Sequence, residues 1–147
     1  MRKAAADVIK SAEESQSLFG AKATAISNLR KMANECSEEG WDGDDASPVD
    51  PDAVDVAETF IRSLPDWVPL PKCAPEPDGA ISLDWIESRL RLFTLSIGSS
   101  NLIPYALLDG ADKDHGVAQF DGQTIPSRVL FLIESITGCA NADIRVA

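Results

Sequence analysis

Histidine occurs once in this chain of 147 residues, tyrosine once and cysteine three times, and those scarcities restrict the available chemistry before any motif is considered. With one imidazole, every His-based catalytic triad or dyad must use His115. Cys36, Cys73 and Cys139 form no Cys-x-x-Cys pair and are odd in number, which excludes a closed disulfide framework or a zinc knuckle and fits reduced thiols in a cytoplasm. No G-x-G-x-x-G or Walker pattern is present, so no nucleotide loop is indicated and no cofactor or metal-ligand set is expected. Long apolar runs are missing too. The basic start Met1-Arg2-Lys3 meets Asp7 and Lys10 before an apolar stretch develops, unlike a signal peptide, and no segment has the length of a membrane span. The location expected from these features is cytoplasmic.

Positive charge is also scarce: 13 Lys and Arg stand against 24 Asp and Glu, giving −11. The imbalance is local. Residues 1–39 are neutral, residues 40–80 carry ten acids and two bases, and residues 81–147 carry eight acids and five bases. A field of that sign repels phosphate backbones, so direct nucleic-acid binding is disfavoured, whereas a basic protein partner, a cation or simple solubility all fit. Hydrophobic residues at 44% and length suffice for one domain with its own core.

The densest signal is residues 40–53, Gly-Trp-Asp-Gly-Asp-Asp-Ala-Ser-Pro-Val-Asp-Pro-Asp-Ala, an acidic turn that runs straight into a helix. Asp50 is placed as N-cap, Pro51 as the first helical residue, and Val54, Ala57, Ile61 and Leu64 make the apolar stripe until Pro65 ends it. Upstream, helix formers fill residues 3–18, and Ile26, Leu29, Ala33 and Cys36 make a second stripe over 21–39 with Gly40 as its C′ residue. Pro65, Pro69, Pro71, Pro75 and Pro77 predict an extended connector pinned by Trp67, Val68 and Leu70. Four strands follow: 80–86, then 89–97 with a parity change at Leu92-Phe93 that calls either for a bulge there or for cover on both faces, 102–108, and a short one at 116–120 after a polar turn over 109–114. A last helix begins at Pro126 and closes at Gly138. The fold expected is α+β, two or three N-terminal helices, a four-stranded antiparallel meander and a C-terminal packing helix, divided into a helical extension over 1–39 and a single domain over 40–147.

Candidate site residues fall into two groups. Trp41, Asp42, Asp44, Asp45 and Trp67 form a binding group, aspartates carried on a turn that Trp41 is expected to anchor in the core. As a calcium loop from Asp42 it fails, because Ala46, Ser47 and Ala53 stand at the fifth, sixth and twelfth positions. Irregular cation binding by the three aspartates is left open. The catalytic group is His115 with Tyr105, Asp112 and Asp114, where an imidazole at a turn-to-strand junction lies near carboxylates in sequence.

The run Gly40-Trp41-Asp42-Gly43, the Leu64-Pro65 after a helix, and Pro77-Asp78-Gly79-Ala80-Ile81-Ser82-Leu83-Asp84-Trp85 resemble a family of small uncharacterised bacterial proteins. Tyr105-Ala106 and His115-Gly116 fit the same pattern, which covers about residues 40–137 and departs at Asp44-Asp45, where a small residue is usual. The resemblance implies a bacterial or phage origin and carries no mechanism. The function expected is a non-enzymatic acidic module that binds a protein, of antitoxin, inhibitor or accessory type, with the N-terminal helices as a candidate homo-oligomer element. The alternative is an enzyme with a scattered site around His115 and Tyr105.

Overall fold

The computed structural model describes residues 20–138. The expected helix over 3–18 and the tail with Cys139 lie outside them. The first described helix, α1, spans residues 20–35. Its apolar stripe is buried as the spacing requires: Ile26 and Leu29 enter the core, and Met32, Ala33 and Cys36 pack against it. The helix stops short of Gly40. The Cys36 carbonyl accepts from the Val49 N–H at 3.0 Å, which draws the chain toward the next element, and Gly40 belongs to the acidic turn instead.

Helix α2 is Pro51–Ser63, with Asp50 capping it through a side chain that accepts from the Asp52 N–H. Ala53, Ala57, Phe60 and Ile61 are its buried residues and Leu64 is buried at its end, so the expected stripe holds at Ala57, Ile61 and Leu64, while Ala53 takes the core position expected of Val54, which is only half-buried. Helix α1 is fastened to α2 by Arg30 on Glu58 and by the Lys22 ammonium, which donates to the Arg62 and Leu64 carbonyls at the end of α2. Residues 20–35 therefore pack on the main body.

The sheet has five strands rather than four: β1 Lys72–Pro75, β2 Ile81–Ser88, β3 Arg91–Ile97, β4 Leu102–Asp109 and β5 Asp112–Gln119, all antiparallel and in sequence order. The additional strand is the proline-rich connector. An edge strand needs its N–H groups on one side only, and Cys73 pairing with Leu83 and Pro75 with Ile81 meets that condition. The bulge lies on β2 between Ile86 and Ser88, not on β3. Residues 109–114 are not a polar turn: Gly110 and Ala111 alone make the hairpin, and β5 begins at Asp112. Pro104 lies one residue beyond the last β3–β4 pair, Leu95 with Tyr105, so its missing N–H falls where that ladder has ended.

Ile81, Leu83, Trp85, Phe93, Leu95 and Ile97 form the covered face, packed under α2 and under α3, Ser127–Thr137. Gly138 closes α3 in the left-handed conformation. The opposite face, with Ser82, Asp84, Ile86, Leu92 and Thr94, is covered by no described element, and Ile86, Leu102 and Val117 stand exposed. No described helix is long and apolar enough to cross a membrane.

Candidate functional site: an acidic end of the sheet

At one end of the sheet β1 ends, β2 begins, β3 ends, β4 begins and β5 ends, so the β1–β2 turn, the β3–β4 turn and the segment after β5 project together. The acidic turn is stitched to this end. The Ser47 N–H donates to the Pro77 carbonyl at 2.7 Å, and the Asp50 N–H to the Gly79 carbonyl at 2.9 Å. Asp42, Asp44 and Asp45, the start of α2 with Asp50 and Asp52, and the β1–β2 turn with Glu76 and Asp78 therefore form one acidic region. Asp55 and Asp121 share a cleft at the same end.

Four of these aspartates have the same geometry. Asp42, Asp50, Asp78 and Asp121 each accept from the backbone N–H two residues on, Asp44, Asp52, Ala80 and Gln123 respectively, at 2.8–3.0 Å. Such a contact fixes the carboxylate to the backbone through one oxygen. The second oxygen of each has no hydrogen-bond partner among the described residues. Asp121 also accepts from the Thr124 N–H, and the Thr124 and Gln123 bonds hold its carboxyl below the usual carboxylate range.

The acidic turn itself is closed by Gly40, whose N–H donates to the Ala46 carbonyl at 2.8 Å, and by Gly43, whose N–H returns to the Gly40 carbonyl. Trp41 is half-buried and holds the turn by donating Nε1–H to the Ser47 carbonyl at 2.7 Å, a hydrogen-bond anchor rather than the core anchor the sequence suggested. Trp67 does pack against the core, and Trp85 ties the same connector down through Nε1–H to the Pro69 carbonyl.

Cations are distributed elsewhere. The five ion pairs among the described residues use Asp66, Glu58 twice, Asp109 and Asp114, and none uses a carboxylate of this end.

The catalytic group is divided by the sheet. β4 and β5 pair Tyr105 with Gly116 and Ala106 with His115. Successive residues on a strand face opposite sides. Tyr105 and Asp114 thus lie on the helix side, where the Tyr105 ring stacks on Phe93 at 5.8 Å and covers Gly116. His115 is exposed on the other side, and Asp112 sits opposite Asp109 at the hairpin. The structure brings Tyr105 and Asp114 together with a residue the sequence reading missed, Arg128. Its guanidinium pairs with Asp114 at 2.8 Å and lies 5.8 Å from the exposed Phe131 ring. Hydrogen bonding to Tyr105 first, and pairing with Asp114 next, push this guanidinium up from its ordinary value. A signal for it existed: an arginine in the first turn of a helix opposes the dipole and needs a partner outside the helix.

Among the described residues no three His, Cys, Asp or Glu side chains gather as a metal site. Burial first, and the Asp84 charge second, push the Cys73 thiol up to about 11. No family model, curated protein or solved structure matches the chain.

Proposed function

We propose that the chain is an acidic protein-binding module of antitoxin, inhibitor or accessory type, and that the acidic end of its sheet receives a basic partner. The observation that carries this reading is the set of four aspartates each fixed by one oxygen with the other idle. Carboxylates already held in place lose little conformational freedom when a cation reaches them, so more of the attraction is kept as affinity. Unpaired charge of one sign gathered at one end also steers a basic surface toward it before contact.

The test is gentle co-purification from the source organism read by native mass spectrometry, with a triple variant, Asp42→Asn, Asp44→Asn, Asp45→Asn, run alongside. The amide that replaces the Asp42 carboxylate keeps an oxygen to accept the Asp44 N–H, so the turn survives while its charge goes. A stoichiometric basic protein that is depleted with the triple variant and released by salt is the expected result. A partner held equally by both chains at high salt, or no stoichiometric partner, overturns the reading.

A further inference from the structure

The acidic end contains an open cleft of about 310 Å³ lined by three stretches far apart in sequence: α2, the β3–β4 turn and the segment after β5. Its size is at the lower limit for small-ligand sites, about 300 Å³, which suits one long side chain and not a nucleotide or a flavin. The charged lining is acidic only, beside hydroxyls and an amide that can accept as well as donate. Asp121 has one oxygen on the Gln123 and Thr124 N–H groups and one idle, and the Asp55 carboxylate has no partner among the described residues. Ser99 and the Asn101 amide add polar atoms whose side chains make no hydrogen bond among the described residues, and no lysine or arginine lines the cleft. Val56 and Phe120 supply apolar wall, with Phe120 seated edge-on against Phe60.

We infer that this cleft is the anchor point for a single arginine side chain of the basic partner, its guanidinium between Asp55 and Asp121 and its methylene stem along Val56 and Phe120. This rests on the reading of the acidic end as a partner surface. Arginine is favoured over lysine because a guanidinium offers five donors in a plane against three on an ammonium, and the cleft presents acceptors from three directions.

The experiment is an NMR titration of the full ¹⁵N-labelled chain at low salt with N-acetyl-arginine methylamide, its lysine counterpart, and magnesium chloride at matched ionic strength. Saturable shifts at Ser99, Asn101, Asp121 and Gly122 are expected with a Kd on the order of 1 mM for arginine and about tenfold weaker for lysine. Asp55→Asn weakens arginine about tenfold. Val56→Phe blocks it by volume with the charge unchanged, so the result does not depend on one variant folding. No saturable shift at these residues up to about 50 mM, well above that Kd, overturns the inference. So does an equal response to magnesium, which would make the cleft a cation site. Shifts confined to residues 42–45 and 76–78 overturn the cleft and leave the acidic-end reading standing. A filled cleft without any salt-sensitive protein partner does the reverse.

Discussion

Gly79 has φ +93°, and a Cβ there would lie 2.9 Å from the Pro48 carbonyl oxygen. Backbone cannot yield as a side chain can, and the left-handed conformation alone costs a non-glycine residue about 1–2 kcal/mol. Gly79→Ala is therefore expected to destabilise by at least about 2 kcal/mol in urea titration. Gly98→Ala, with open space around it and no positive φ, should change stability by no more than about 0.5 kcal/mol beyond the loop-entropy gain. Cys73 offers a pH test. Its folded value, about 11, exceeds the ordinary 9.0, so the folded chain holds the thiol proton more tightly than the unfolded one. The associated stability is complete below pH 9 and is lost as pH rises toward 11. The urea midpoint should fall across that window and fall less in Cys73→Ala. At pH 8 iodoacetamide should alkylate folded Cys73 about a hundredfold more slowly than the unfolded chain, in proportion to thiolate.

Among the elements, α2 and β2 were legible and β1 was not. Asp50-Pro51 states a helix start in two residues because a cap oxygen and a fixed φ are local requirements, and Asp50 caps as expected. Asp50→Ala should lower stability by about 1 kcal/mol while Asp50→Asn leaves the melting temperature nearly unchanged, since the amide oxygen can still accept. β1 was hidden by its prolines, which forbid a central strand and only permit an edge; whether a permitted edge is used depends on the partner strand. The β4–β5 hairpin shows how one misplaced turn misleads about a site. With Gly110 and Ala111 as the loop, the register places His115 beside Ala106 and away from Tyr105. A turn over 109–114 would leave the same residues free to converge.

At the scale of the whole molecule, the uneven charge of the sequence becomes a direction in space. Residues 40–80 hold most of the excess acid, and the hydrogen bonds from Ser47 to Pro77 and from Asp50 to Gly79 gather much of it at one end of the sheet. Like charges brought together repel, and salt screens them over about 8–10 Å at physiological strength. The melting temperature should therefore rise with sodium chloride. The triple Asp→Asn variant of the acidic turn should be more stable than the parent at about 10 mM salt by about 1 kcal/mol, the difference vanishing near about 1 M. Equal salt dependence of the two chains by differential scanning calorimetry would show that the turn carries no net repulsion.

The sequence by itself determined the α+β class, the helix over 51–63, the alternation that buries Ile81, Leu83 and Trp85, and the acidic turn with its special glycines. These follow from periodicity, caps and left-handed backbone, all settled within a few residues. Only the tertiary structure decided that the proline segment is a strand, that Arg128 joins Tyr105 and Asp114 while His115 faces away, and that Asp55 and Asp121 line one cleft. Those outcomes depend on strand register and on contacts between segments tens of residues apart, where a shift of one residue turns a side chain to the opposite face.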